Sequence, residues 1–435
     1  MAKGDLISTE RTAERALLLG IDRRDSPWPV ERSLQELERL ADTAGAQTVA
    51  RLTQRLEKPI PKSYIGSGKV EELKGMVARL DIDVVIFDDD LTPSQQSYLE
   101  KAVGSPVKII DRTALILDIF GLHARTREGR LQVQLAQLQY LLPRLRGMWT
   151  HLAKEQTRGG IGSRFGQGES QLEIDRRLIR GKISNLRKQL KDIERRRVVQ
   201  SKERRSSEAY RIALAGYTNA GKSSLLNMLT GASVLAQDKL FATLDPTTRS
   251  YALPGGRVVT ITDTVGFIQK LPHGLVESFK STLTEVLESD LIVKVVDTSD
   301  EDWERQLNAV DQVLNEIGAG NKKTLVALNK IDLLEPSYKR ILTDRYPGCI
   351  PFSSVTGEGL TRLLDHLSEE ATASDQLIDA MLPYAEGSLL TLAHTSGMVL
   401  EERFLDECIH LVARIPKAYA PRFEPFIRPQ DRLQG

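Results

Sequence analysis

Eight consecutive residues, Gly216-Tyr217-Thr218-Asn219-Ala220-Gly221-Lys222-Ser223, carry the spacing GxxxxGK[ST]. Glycines at those positions let backbone N–H groups turn inward around phosphate oxygens, and a helix starting there adds its positive end. Lys222 can then reach the β- and γ-phosphates of a nucleotide. The Ser223 hydroxyl can ligate Mg2+, with Ser224 beside it. Further along, Asp263-Thr264-Val265-Gly266 closes an apolar run. An Asp at a strand end near such a loop can hold Mg2+ through water, and the Gly266 N–H can meet a γ-phosphate. Asn329-Lys330-Ile331-Asp332 follows the next strong run but one. The Asp332 carboxylate can accept from N1–H and the 2-amino group of guanine, whereas adenine offers neither donor. A buried group built for such pairing discriminates by roughly 10⁴–10⁵. Asn329 can bridge to the phosphate loop, Lys330 can lie along the base, and Ser353-Ser354-Val355 can offer a backbone N–H to guanine O6. Three motifs in this order read as a guanine-nucleotide site.

Between the first two motifs lies Phe241-Ala242-Thr243-Leu244-Asp245-Pro246-Thr247-Thr248. A threonine here can close on Mg2+ only when a γ-phosphate is present, which makes a switch. Thr243, Thr247 and Thr248 compete for the role, and Thr243 is favoured. The expected metal ligands are therefore Ser223, Thr243 and Asp263; Lys222, Thr243 and Gly266 are expected to act in hydrolysis. Many GTPases place a Gln directly after the glycine of the second motif to orient water. Here Phe267 stands there, so slow intrinsic hydrolysis is expected, with a partner or another group assisting. The six histidines show no metal-ligand spacing and read as structural. Ile65-Gly66-Ser67-Gly68-Lys69 lacks the first glycine and final hydroxyl of a phosphate loop and reads as a turn capping a helix.

The elements that must hold these motifs follow from periodicity. Strand-length apolar runs at Ala16–Ile21, Val84–Phe87 and Val107–Ile110 alternate with helical patterns at Val30–Thr43, Lys69–Leu80 and Pro93–Val103. That alternation implies a small parallel α/β unit. After Arg125, Leu131, Leu135, Leu138, Leu142 and Leu145 form one heptad seam; Leu172, Ile179, Ile183, Leu186, Leu190 and Ile193 form another. Two seams joined by a loop predict an antiparallel hairpin, with Pro143 kinking or ending its first arm. The connection Arg146–Ser170 is glycine-rich and basic, suited to drape on a phosphate backbone. Its second arm carries thirteen Lys or Arg between Arg176 and Arg205, opposed by Asp192, Glu194 and Glu203. From Arg211 the α/β pattern returns. Strands are expected at Arg211–Ala215, Val258–Thr262, Ile292–Val296, Leu325–Leu328 and Cys349–Phe352. Helices are expected at Lys222–Leu229, Gly274–Glu288, Asp302–Ile317 and Gly359–Glu370. Ala371–Asp379 reads as a linker helix before a small tail.

The whole-chain charge, 60 basic against 59 acidic residues, argues against a nucleic-acid partner only as an average. The basic arm is its local departure, offset by acids at Asp81–Asp90 and Ser289–Glu304. No apolar run reaches the roughly 20 residues of a membrane helix. The first ten residues lack a signal core, and Cys349 and Cys408 form no disulfide framework. A cytoplasmic protein is expected.

These motifs, together with Tyr64–Lys69, Leu91–Gln96, Asp111–Phe120, Ala124–Leu138 and Gly168–Arg177, make the chain resemble HflX-type GTPases of the Obg-related group. The resemblance departs from the family at Phe165-Gly166-Gln167-Gly168, where a Gly-Pro-Gly type turn is usual. It implies a small N-terminal α/β unit (1–123), a helical hairpin (124–208), a Ras-like GTPase domain (209–372) and a small C-terminal α+β domain (373–435). It implies a monomer that hydrolyses GTP to GDP with Mg2+, slowly alone and faster on ribosomes. It further implies binding to the large ribosomal subunit and its rRNA through Arg146–Ser170 and Arg176–Arg205, and splitting or rescue of ribosomes under stress. A tRNA-modification GTPase would usually need a further catalytic domain and a reactive terminal Cys, neither of which is visible. An RNA-binding scaffold using GTP only structurally is the remaining rival.

Overall fold

The computed structural model describes residues 13–156, 165–204, 210–231, 240–241, 243–270 and 284–428. Side chains are described within these ranges except at 146–172 and 197–204. Contacts divide the chain into two compact units, 1–192 with 270–278, and 193–269 with 279–435; the boundary falls inside a helix.

The first unit runs β1 (Glu14–Asp22), α1 (Val30–Thr43), β2 (Ala46–Arg55), α2 (Ser67–Leu80), β3 (Val84–Phe87), α3 (Pro93–Val103), β4 (Lys108–Asp111) and α4 (Arg112–His123). Its four strands are all parallel, in the order β2-β1-β3-β4. Leu17, Leu19, Val85 and Phe87 point to a core shared with Val70, Leu73 and Val77 of α2 and Leu99 of α3. Local chemistry sets the helix starts. Thr92 and Gln95 make a reciprocal capping box before Pro93, and the Asp111 carboxylate accepts from Ala114 N–H at the start of α4. β2 escaped an apolar-run reading because it is an edge strand with Leu52 its one buried residue.

Charges meet where β3 and β4 end. Arg112, 1 % exposed, donates to Asp88 (2.8 Å), Glu36 (2.7 Å) and Ser33 O. Lys270, which belongs to this unit, pairs with Asp88 at 2.5 Å and Asp89 at 2.6 Å. Burial pushes the Asp88 carboxyl upward, but Arg112 and Lys270 outweigh it and hold it down at about 2.

α5 (Arg127–Gln156) and α6 (Phe165–Arg204) pair through Leu131, Leu135, Leu138 and Leu142 against Ile179, Ile183, Leu186 and Leu190, the expected seams. One expectation is narrowed and another corrected. Of the two outcomes expected at Pro143, ending is excluded: the residue lies inside α5, which continues to Gln156. Residues 146–156 and 165–170, read as loop, are helical, including the departing Phe165–Gly168 stretch. Arg158, Gly159, Gly160, Gly162, Arg164 and Arg205 lie outside the described residues. Near its middle α5 is tied down by Arg144, which donates to Gln96, Leu91 O and Asp111, and by Tyr140, whose hydroxyl donates to Asp111.

The second unit contains β5 (Tyr210–Gly216), α7 (Lys222–Thr230), β6 (Thr247–Ala252), β7 (Val258–Asp263), α8 (Thr284–Glu288), β8 (Leu291–Asp297), α9 (Trp303–Glu316), β9 (Thr324–Asn329), α10 (Pro336–Arg345), β10 (Cys349–Pro351) and α11 (Leu360–Thr372). The sheet order is β10-β9-β8-β5-β7-β6, parallel except for the edge strand β6, which runs antiparallel to β7. Val293, Val295 and Leu325 in the central strands face Leu225 and Leu226 of α7 and Leu363 and Leu367 of α11 in one core. The start of the helix expected at Gly274–Glu288 lies outside the described residues. β11 (Gln376–Pro383), α12 (Gly387–Ser396), β12 (Met398–Phe404) and β13 (Cys408–Ile415) form a small antiparallel sheet, order β11-β13-β12, with α12 packed on it. Here the expected linker helix is wrong. α11 stops at Thr372, and Ile378, Ala380 and Leu382 are buried at a period of two against β13. The molecule is thus mixed α/β, with a mostly parallel six-stranded sheet and an antiparallel C-terminal one.

Candidate nucleotide site

The site forms on one edge of the six-stranded sheet, where β5, β7, β9 and β10 all deliver their C-terminal ends. Loops leaving parallel strands at that edge are where α/β sheets bind ligands. The phosphate loop joins β5 to α7. Gly221 has φ +94°, and a Cβ there would sit 2.1 Å from Asn329 Nδ2, so only glycine permits this approach. Asn329 is the hinge of that contact. Its Nδ2 donates to Ala220 O (2.8 Å) and Ser354 Oγ (3.1 Å), and its Oδ1 accepts from Ser354 N (2.9 Å). The third motif therefore holds the first in place.

Lys222 is 6 % exposed, and its Nζ donates to Gly216 O (3.1 Å) and Tyr217 O (2.9 Å). Burial lowers the ammonium pKa to about 8, against the opposing pull of Asp263. Ser223 Oγ donates to Asp263 Oδ2 (2.6 Å) and lies 2.9 Å from Thr243 Oγ1. Three oxygen ligands expected from sequence are thus brought together from α7, β7 and the segment before β6. Asp263 is fully buried; burial raises its carboxyl pKa, while Lys222 and the Ser223 bond resist. Its Oδ1 makes no hydrogen bond among the described residues. A buried carboxylate oxygen beside two hydroxyls is a donor set of hard oxygens, which fits Mg2+ completed by phosphate and water. Of the competing threonines, Thr248 instead bonds Thr262. Ala242 lies outside the described residues, and Leu244 is buried beneath this segment while Asp245 is half-buried.

Thr264 Oγ1 donates to Leu214 O, fixing the strand end that carries Asp263. Val265 is buried. At Gly266 a Cβ would sit 2.9 Å from Thr218 Cα and 3.2 Å from Lys222 Nζ, so the backbone passes directly beside the loop lysine. Phe267 is 1 % exposed, and its main chain bonds the loop at Gly216 and Thr218.

At the base-reading end, Asp332 Oδ1 is buried without a hydrogen-bond partner among the described residues, as a reader awaiting two donors would be. Lys330 adopts φ +64° and pairs with Asp297 at 2.6 Å, an acid the sequence reading did not single out. Asn329 O accepts from both the backbone and hydroxyl of Thr298, likewise unforeseen. The N–H groups of Ser353, Ser354 and Val355 donate within the protein, to Glu358 O, Asn329 Oδ1 and Ser353 Oγ respectively. The longest of these bonds is that of Val355, at 3.2 Å.

Comparison with known proteins extends this geometry. Residues 31–121 match the family model described as GTP-binding GTPase N-terminal, 123–204 the GTP-binding GTPase Middle Region, and 211–330 the 50S ribosome-binding GTPase. The chain is 43% identical to GTPase HflX of Magnetococcus marinus, covering 96% of both chains. It is 45% identical to GTPase HflX of Caldanaerobacter subterraneus, covering 96% of this chain and 94% of the relative. A crystal structure of a GTP-binding protein from Sulfolobus solfataricus in complex with GDP aligns at 24% identity and TM-score 0.44, over 83% of this chain and 99% of that one.

Proposed function

The chain belongs to the HflX family of GTPases and hydrolyses GTP; from that premise we propose that it binds the large ribosomal subunit and acts as a GTP-dependent splitting and rescue factor under stress. In this reading GTP favours the bound state and hydrolysis drives release. The observation that carries it is the match of residues 211–330 to 50S ribosome-binding GTPases, on a chain alignable with HflX relatives nearly end to end. The exposed arm supports it: Arg177, Arg180, Lys182, Arg187, Lys188, Lys191 and Arg196 all stand in solvent on α6. A basic helix of this kind suits rRNA, whose phosphates dominate such contacts.

Within the site we assign the phosphates to the backbone of Gly216–Gly221 with Lys222, and the base to Asn329, Lys330 and Asp332. Ser223, Thr243 and Asp263 would hold Mg2+, which neutralises charge on the β- and γ-phosphates when bound. Gly266 would meet the γ-phosphate through its N–H. The four domains proposed are 1–123, 124–208, 209–372 and 373–435, acting as a monomer in the cytoplasm. Among the described residues no helix is long and apolar enough to cross a membrane.

Multiple-turnover hydrolysis measured with and without purified large subunits tests this reading, alongside sedimentation of intact ribosomes in GTP or a non-hydrolysable analogue. Acceleration by subunits and conversion of ribosomes to subunits are expected. Hydrolysis indifferent to subunits, with ribosomes left intact, would return the protein to an RNA-binding or other GTPase role.

A further inference from the structure

Three hydrogen bonds fasten residues 267–269 to the opening of the phosphate loop. Phe267 N donates to Gly216 O (3.1 Å), Thr218 N donates to Phe267 O (2.8 Å), and Gln269 N donates to the Tyr217 hydroxyl (2.7 Å). All of this is buried: Phe267, Gln269 and Tyr217 are 1 %, 3 % and 5 % exposed. The first two bonds use main chain only, so any side chain could sustain them. The third requires an oxygen at the end of a rigid ring at position 217. Phosphate binding by a GxxxxGK[ST] loop asks nothing of the side chain at that position, because the loop works through its backbone. Phosphate recognition therefore leaves the phenol unexplained.

The geometry points to Tyr217 as a positioning residue for GTP hydrolysis, acting through the 267–269 strap on Gly266. The strap leaves Gly266 directly before it, at the point where a Cβ would approach Lys222 Nζ to 3.2 Å. Gly266 thus lies beside the ammonium that serves the outer phosphates. Phe267 offers no side-chain hydrogen bond to attacking water, so the rate depends on where the backbone at Gly266 is held. A displacement of about 1 Å at a positioned group can cost on the order of 10²-fold in rate. Tyr217 holds the far end of the strap, and its ring keeps the same packing whether or not the hydroxyl is present. The inference rests on the GTPase activity of the family alone and is independent of ribosome binding.

Tyr217→Phe in the full chain, assayed with Mg2+ and GTP and without ribosomes, isolates the hydroxyl. The expected result is a fall of about tenfold in kcat, or about 1.4 kcal/mol, with KM for GTP and affinity for GDP within about twofold of the parent. Faster amide exchange at Gln269 should accompany it. An unchanged kcat overturns the proposal, whatever happens to the melting temperature. Equal losses of kcat and GDP affinity overturn it too, because the phenol would then merely support the shape of the loop.

Discussion

In the proposed assignment, one atom of Asp332 sets substrate choice. Its Oδ1 is buried and makes no hydrogen bond among the described residues, a state that is costly unless a ligand supplies donors. Guanine supplies them from N1–H and its 2-amino group. Asp332→Asn presents an amide that can donate to the 2-keto group of xanthine, so preference should pass to the xanthosine nucleotide. GTP affinity should fall about 100-fold, roughly the 2–3 kcal/mol of a mispaired buried polar group, and competition binding of the two triphosphates reads it. Equal GTP affinity in parent and variant would remove Asp332 from the base site. Asn329 differs: its amide is used inside the protein, on Ala220 and Ser354, and so ties the Asn329–Asp332 motif to the glycine-rich loop.

At the scale of elements, α6 is the part whose role depends most on what lies outside the molecule. Its apolar seam is satisfied by α5 through Ile179, Ile183, Leu186 and Leu190, which leaves its charged face outward. Replacing Arg195, Arg196 and Arg197 together by Gln should weaken binding to large subunits and lower the slope of log affinity against log salt by about 2–3. GDP affinity should not change. Filter binding at several salt concentrations measures both, and an unaltered slope would make this a solvated face. The edge strand β6 illustrates the opposite dependence. Among the described residues it pairs with β7 alone, and that pairing sets Thr247 opposite Asp263, next to the segment that carries Thr243.

For the molecule as a whole, each of the two units has its own apolar packing. The second contains apolar cores beneath the parallel sheet, around Trp303 and Leu342, and under the C-terminal antiparallel sheet. The first adds a buried charge cluster in which Asp88 serves Arg112, Lys270 and Ser33. Removing one partner of such a cluster leaves the others uncompensated. Asp88→Asn should therefore destabilise the protein by about 3 kcal/mol in denaturant unfolding. A pH signature follows. The Asp88 carboxyl is depressed from 3.8 to about 2 in the folded state, so its stabilising effect is complete above about pH 4 and is lost between pH 4 and 2. In the variant that part of the acid transition should vanish. A parent and variant with parallel stability between pH 5 and 2 would show that the cluster does not act in this way.

Much of this was legible in the residues themselves. Short-range patterns are sufficient where one element explains itself: the capping box at Thr92 and Gln95, the heptad seams of α5 and α6, and the glycine spacing of the phosphate loop all follow from local geometry. The three motifs each fall at a strand end, as their spacing predicts. What sequence could not supply were partners far apart in the chain. Tyr217 meets Gln269 across 52 residues, Lys270 meets Asp88 across 182, and β11 pairs with β13 although its alternation is short. Such pairings depend on how chain segments come together, and no spacing encodes them. β2 carries no apolar run because it is an edge strand that buries Leu52 alone of its residues, and α5 continues through Pro143 despite the residue's local preference. Sequence determined which chemistry this protein carries; only the tertiary structure decided which side chains hold that chemistry in position, since position is a property of contacts between distant residues.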